Sequence, residues 1–428
     1  MNSEGVEYLQ SRLMFGMCPG LETTERLCAA LGNPERSFRA VHVVGTNGKG
    51  SCSYYLAGVL QAHGIRTGLY TSPHLISLRE RIRVNDVPAS DADLDRLFLQ
   101  VKAATEKIQV EPTFFEVVTV AAFLYYKEQN VQVAVLEAGM GGRLDSTAVA
   151  RGDIAVVTSI GLEHTEVLGS TEIAILREKM GVLPGVVARS VSDKAISGKK
   201  VYVVGGLSES LLAEARDFAA AVEAEILVPE IREDIELPNL GRHYVENASL
   251  SLAAAQLILD DGYSDARALE CLKTRSWPGR MQLLRDPQGQ LRFILDGTHN
   301  SHAARRLAET LDRYFSGQKF PCVFGALKDK DVEEMLRFLA PYVSQWHLVR
   351  TPYERFREPE EIAAILTAMD QKVASTGPLS RSVLENVKGP ALVTGSLYMI
   401  GEVIDLLKDE FESLAFFRHL EKSTNEHR

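Results

Sequence analysis

The chain has 428 residues, 45% of them apolar, with 47 basic against 57 acidic side chains and a net charge of −10. That length exceeds what one hydrophobic core supports, so two domains are expected, and an acidic balance with no Lys/Arg-rich run argues against a nucleic-acid partner. Five cysteines (Cys18, Cys28, Cys52, Cys271, Cys322) show no Cys-x-x-Cys pairing, the start lacks a charged-then-apolar leader, and the longest apolar stretch, residues 117–126, is too short for a bilayer; a zinc site, a disulfide framework and a membrane span are therefore not expected, and a cytoplasmic enzyme is.

In chain order, residues 40–51 read Ala-Val-His-Val-Val-Gly-Thr-Asn-Gly-Lys-Gly-Ser, an apolar strand that stops at a glycine-rich turn. Gly45, Gly48 and Gly50 let backbone N–H groups approach an anion, and a helix expected over 53–63 points its positive end at it. Lys49 then reaches the terminal phosphates and Ser51 a Mg²⁺ ion. The strict P-loop pattern is not met, because Val43 stands where a glycine belongs and Gly50 separates the lysine from the hydroxyl. A bare strand-to-helix turn with a solvated lysine is the plainer alternative.

A strand over 66–71, a helix over 91–108 and a buried helix over 114–129 follow, then β-branched apolar runs at 131–137 and 154–160 that suit strands buried on both faces. Alternating strands and helices predict a doubly wound, mostly parallel sheet with ligands beyond the carboxyl ends of its strands. The cradle, residues 71–74, Glu137 and His164 should converge there. After a less readable stretch with a strand at 200–204 and helices at 209–221 and 247–259, the break Trp277-Pro278-Gly279-Arg280 precedes a second βα series without a cradle. The Asp286–Gln290 composition suits a linker or turn, so the expected domains are 1–287, a P-loop α/β domain, and 288–428, a smaller Rossmann-like one.

Glu137 ends a strand beside a glycine cluster, where a carboxylate could cap the turn or serve Mg²⁺ as a hard oxygen ligand. His164 after the next strand is either hydrogen-bonded structure or a metal ligand. Lys179, flanked by Arg177 and Glu178, reads by composition as a solvated helix lysine; the sharper alternative is a buried amine of lowered pKa that could take up CO₂. Arg280, Asp296 and His299 could form a surface pair and turn, or reach ribose and phosphates.

In this order the motifs resemble the folylpolyglutamate synthase and dihydrofolate synthase family, relatives of the Mur ligases. The likeness is carried by Arg12-Leu13, Phe15-Gly16, Gly20-Leu21-Glu22, residues 45–51, Ser72-Pro73-His74-Leu75, Glu80-Arg81-Ile82, Phe115-Glu116, residues 141–145, Glu178-Lys179, Pro278-Gly279-Arg280, Asp296-Gly297, His299-Asn300, Gly325-Ala326-Leu327, Asp329-Lys330-Asp331 and Gly395-Ser396. It implies an ATP-dependent ligase that joins glutamate to a folate or pteroate carboxylate through an acyl phosphate, with both synthase activities. By the same resemblance Gly48, Lys49, Gly50, Ser51, Asn247, Arg280 and Asp296 contact ATP. Ser51 and Ser72 would hold one Mg²⁺, Glu137 and His164 a second, and Lys179 matches the lysine that the family carbamylates, which with Lys49 and His164 makes the catalytic set. Cys18, Pro19, Gly20, Leu21, Thr113, Phe114, Phe115, Glu116, Leu144, Asp145 and Ser146 match the pterin side, and His299 and Ser396 the incoming glutamate. The chain departs from the pattern at Glu163, where aspartate is usual, at Met180 and Val182 after the lysine, and at Thr298 and Ser301 around His299. A cell-wall Mur-type ligase and a non-ligating P-loop switch are the alternatives, and a monomer is expected.

Overall fold

The computed structural model describes residues 3–13, 20–183 and 199–420. By internal contacts it divides into two compact units: one comprises residues up to Pro73, Arg79–Glu236 and Tyr244–Arg275, and the other His74–Leu78, Leu237–His243 and everything from Ser276.

The first unit is built on eight strands: β1 (Arg39–Val44), β2 (Thr67–Tyr70), β3 (Ile82–Val84), β4 (Val87–Pro88), β5 (Val133–Glu137), β6 (Gly152–Val157), β7 (Lys200–Val204) and β8 (Ala224–Leu227), in the order β4-β3-β2-β5-β1-β6-β7-β8. Pairing is parallel from β2 across to β8, while β3 and β4 form an antiparallel hairpin at one edge. That hairpin turns on Asn85 and Asp86, both at positive φ (48° and 63°), the twist that a two-residue hairpin loop needs. All residues of β5 and β6 are buried, as continuous apolar strands covered on both faces must be. The helices Asp91–Ile108 and Phe114–Glu128 lie where the periodicity places them, each opened by a reciprocal capping box, Ser90 with Asp93 and Thr113 with Glu116.

The second unit carries β9 (Gln282–Arg285), β10 (Leu291–Asp296), β11 (Phe320–Phe324), β12 (Val343–Arg350), β13 (Val373–Pro378) and β14 (Ala391–Thr394), ordered β13-β12-β11-β14-β10-β9 and parallel except for β9. Asp286–Gln290, read as a linker or turn at a domain boundary, is the hairpin turn between β9 and β10: the Asp286 carboxylate accepts from the backbone N–H of Gln288 (3.0 Å) and Gln290 (2.8 Å). The second unit thus begins before residue 288, because the four residues of β9 extend its sheet. Leu75 and Ile76 pack into this unit's core with Leu295, Val323 and Ile400, so His74–Leu78 belongs to it and His74 is not grouped with the cradle. Among the described residues no helix is long and apolar enough to cross a membrane.

His42 lies in β1 with no exposed surface, its Nε2–H donating to the Ala150 carbonyl at 2.9 Å. Burial pushes its pKa down to about 4 from 6.5, only partly opposed by that bond. The unfolded chain therefore takes up this proton first as pH falls: the stability is fully present above about pH 6.5 and is lost as pH drops toward 4, by about 3 kcal/mol. His42→Gln, which keeps a donor for Ala150, should remove this part of the acid sensitivity. Urea unfolding at pH 7, 5 and 4 measures it, and equal losses in both proteins would refute the assignment.

Candidate active site

Where β1 ends, the chain makes a turn that only glycine tolerates. Gly45 has φ +148°, and a Cβ there would lie 2.0 Å from Thr158 Oγ1; Gly48 has φ +86°, and a Cβ there would lie 2.7 Å from the Asn247 amide. The left-handed Gly48 takes the N-cap, so the helix spans Lys49–Ala62 and starts earlier than the expected residue 53. Its first backbone bond runs from Cys52 N–H to Gly48 O (2.9 Å), which leaves the N–H groups of Lys49, Gly50 and Ser51 in the first turn without intrahelical acceptors. A fourteen-residue helix presents those donors, and its positive dipole end, to any anion in the turn. Lys49 Nζ is folded back onto the loop, donating to Gly45 O (2.9 Å) and Thr46 O (3.3 Å). Ser51 and Asn247 are both buried beside this turn or its helix.

The neighbouring strand ends bring several expected residues here. Glu137 closes β5 in register with Val43 of β1, is 4% exposed, and accepts the Ser72 N–H at 3.0 Å, so Ser72 and Glu137 meet beside the cradle. Lys179 corrects the compositional reading. It is 1% exposed, and its Nζ donates to Gly45 O at 2.8 Å and to Glu163 Oε1 at 2.5 Å. Burial, helped by the Lys49 charge, pushes its pKa down to about 8. Burial pushes Glu163 upward, but the Lys49 and Lys179 ammonium groups outweigh it and leave the carboxyl below its ordinary value. His164 stands next in the chain, exposed and at φ 44°. Among the described residues no three His, Cys, Asp or Glu side chains are gathered as a preformed metal cluster.

On the pterin-matching side, Cys18 and Pro19 lie outside the described residues, while Gly20 and Leu21 are half-buried. The polar groups here are engaged within the protein. Glu116 Oε2 accepts from Thr113 N–H (2.7 Å) and hydroxyl (2.9 Å), and Asp145 accepts from Gly139 N (2.9 Å), Met140 N (3.1 Å), Thr147 N (3.0 Å) and the Thr147 hydroxyl (2.6 Å). The rings differ: the Arg81 guanidinium lies 5.3 Å over Phe114, and Phe115 meets Tyr70 edge-on at 6.0 Å. Leu144 is half-buried and Ser146 buried beside Asp145.

In the second unit, Arg280 Nη1 and His299 Nδ1 both donate to Gly297 O, at 3.1 and 2.8 Å. Asp296 accepts from Met281 N (2.8 Å), Thr298 N (3.0 Å) and the Thr298 hydroxyl (2.6 Å). Gly395 N–H donates to Thr298 O (3.1 Å), bringing Ser396, 1% exposed with its Oγ unpartnered, to the same loop.

Sequence reasoning missed Thr46, Thr158, Ser159 and Gly161, whose side chains and backbone lace the cradle to the end of β6. The only sequence signal was a Thr-Ser pair closing an apolar run.

Residues 43–255 match the Mur ligase middle domain, and residues 279–388 the Mur ligase glutamate ligase domain. The dihydrofolate synthase/folylpolyglutamate synthase of Bacillus subtilis is 32% identical over 94% of this chain and 98% of its own length. Among solved structures, E. coli FolC in complex with DHPP and ADP superposes with a TM-score of 0.81 at 27% identity, covering 95% of this chain and 98% of that one. The bifunctional folylpolyglutamate synthase/dihydrofolate synthase of Yersinia pestis, complexed with AMPPNP and Mn ion, gives 0.79 at 29% identity over 94% and 97%. With a glycine cradle, an adjoining strand-end carboxylate and a buried lysine in that arrangement, the chain belongs to the dihydrofolate synthase/folylpolyglutamate synthase family.

Proposed function

We propose that this chain is an ATP-dependent ligase that joins L-glutamate to the carboxyl group of a pteroate or folate, serving as both dihydrofolate synthase and folylpolyglutamate synthase. The observation that carries the reading is the turn opening at Lys49, with unpaired N–H donors at residues 49–51 and the Glu137 carboxylate at the adjoining strand end. The first unit is the nucleotide-binding one and the second the glutamate-ligase one. Gly48, Lys49, Gly50, Ser51 and Asn247 of the first unit are assigned to ATP, and the family resemblance alone assigns Arg280 and Asp296 of the second unit to it as well. His299 and Ser396 receive glutamate. The Phe114 and Phe115 rings, with Leu21 and Leu144, offer apolar surface to a flat pterin, with Gly20, Asp145 and Ser146 shaping the loops beside them. We expect a cytoplasmic monomer acting on small molecules, its net charge of −10 giving no footing for nucleic acid.

In the reaction a substrate carboxylate oxygen attacks the γ-phosphorus, the bridging P–O bond breaks, and ADP leaves. Lys49 must turn from Gly45 O to the γ-phosphate, where its charge stabilises the transferring group, while the helix N–H donors hold the β-phosphate. The glutamate amine then attacks the acyl phosphate carbon, phosphate departs, and the amine loses a proton. The hard oxygen donors of Ser51 and Ser72 suit one Mg²⁺ ion, and Glu137 with His164 a second. Such ions would supply charge neutralisation on the phosphates. At Lys179 a carbamate also fits, since it keeps one N–H for Gly45 O, but Glu163 must then give way to the new anion.

Lys49→Ala should lower kcat/KM by at least about 10³-fold, measured as ADP release with all three substrates, and activity near wild type would refute its role. Lys179→Ala should lose activity that short carboxylates partly restore, and wild-type kinetics without rescue would remove the carbamate. ADP release measured with ATP alone, then with dihydropteroate plus glutamate, then with tetrahydrofolate plus glutamate separates the readings: release only with both co-substrates supports a ligase, success with both acceptors supports bifunctionality, and release independent of either favours a switch. Activity only with a uridine-nucleotide acceptor would favour a cell-wall ligase.

A further inference from the structure

Past the last paired residues Val44 and Val157, two backbone bonds, Thr158 N–H to Val44 O (3.0 Å) and Thr46 N–H to Ser159 O (2.7 Å), carry β1 and β6 onward, and side-chain hydroxyls extend that pairing into the turn. Ser159 Oγ accepts the Asn47 N–H and donates to Asn47 O, both at 3.1 Å, and Thr158 Oγ1 donates to Asn47 O at 2.7 Å. Thr46 answers from the other side: its N–H donates to Ser159 O (2.7 Å), and its hydroxyl donates to Gly161 O and accepts Gly161 N–H, both at 3.1 Å. We infer that Ser159, with Thr46, is a positioning residue of the phosphate cradle, which sets the turn for the nucleotide and ties it to the loop bearing Glu163 and His164.

The physical reason is a division of labour among donors. The Asn47 N–H is spent on Ser159, so this part of the turn is held by the protein, while the N–H groups of residues 49–51 stay directed to the ligand. A serine hydroxyl can both donate and accept, so one side chain serves the N–H and the carbonyl of the same residue. Gly45 must lack a Cβ because Thr158 Oγ1 occupies that space, so the tie and the turn are mutually required. Holding such a turn before the ligand arrives lowers the ordering cost of binding.

The inference rests on the nucleotide reading, so the test includes a control for that reading. Mg·ADP binding to the full chain is measured by isothermal titration, with KM values for ATP, folate and glutamate, for wild type, Ser159→Ala, Ser159→Thr and Thr46→Val. Ser159→Ala should raise the ADP Kd and the ATP KM roughly tenfold, the weight of one or two lost hydrogen bonds, and leave the KM values for folate and glutamate within about twofold. Ser159→Thr, which keeps the hydroxyl, should restore most of the loss, and Thr46→Val should act in the same direction as Ser159→Ala. Folded Ser159→Ala and Thr46→Val proteins with unchanged nucleotide constants would overturn the inference, as would a Ser159→Thr protein as weak as Ser159→Ala. If Ser159→Ala does not fold, Thr46→Val against Thr46→Ser decides. Failure of the wild type itself to bind Mg·ADP would instead overturn the nucleotide reading.

Discussion

The carbonyl oxygen of Gly45 is the point on which the site is built. It accepts one ammonium from Lys49 at 2.9 Å and another from Lys179 at 2.8 Å, one lysine local and one 134 positions away. Two cations on one neutral acceptor repel each other, and Lys179 has almost no solvent contact to screen the repulsion. Glu163 relieves it by pairing with Lys179, and on the proposed reading a triphosphate at the helix end would relieve it further by drawing Lys49 away. The resting site is thus poised electrostatically: its cations are held by backbone and one carboxylate until a stronger anion displaces them.

Sheet topology makes this convergence possible. Because β1 runs parallel between β5 and β6, the carboxyl ends of all three face one way, and Gly45, Glu137 and Thr158 come into line without any long loop. The same geometry requires glycine at the turn, since the adjoining strand end already fills the volume a side chain would take. Packing adds to backbone conformation at Gly45 and Gly48, whose φ values of +148° and +86° already disfavour any side chain.

Much of this was legible in the sequence where apolar runs were long or their spacing regular. The helix Asp91–Ile108 follows from its spacing of Leu94, Leu97 and Leu99, and β5 and β6 from β-branched runs. What was not legible lacked such runs. Strand β13 is mostly solvent-exposed and β9 is four residues long with a polar Gln282 at one of its two buried positions, so neither shows an apolar stripe, and the sequence boundary fell inside the second sheet in consequence. Composition alone pointed Lys179 to solvent because its neighbours are outward: Arg177 pairs with Glu214 and Glu178 with Arg143 at the surface, while successive residues turn by about 100°, which carries Lys179 to the buried side that the alternative reading required. The hydroxyl lacing of residues 46, 158 and 159 joins segments too distant in the chain for any local pattern to show.

The aspartates impose a last constraint on how substrates are recognised. Asp145 and Asp296 each sit in an Asp-x-Thr turn after a strand, each closing on the threonine N–H and hydroxyl, and each tying in a further backbone N–H from a separate stretch. The four bonds that Asp145 accepts engage both of its oxygens in fixing loop shape, so a ligand would gain a bond there mainly by displacing an existing one, at a cost comparable to the bond gained. On the proposed ligase reading, recognition beside Asp145 would fall mainly to backbone donors and aromatic faces, and beside Asp296, within the second unit, to hydroxyls such as Ser396 and to arginine. Such a set favours anionic and flat partners over cationic ones, which is the chemistry of a phosphate, a pterin and a dicarboxylic amino acid.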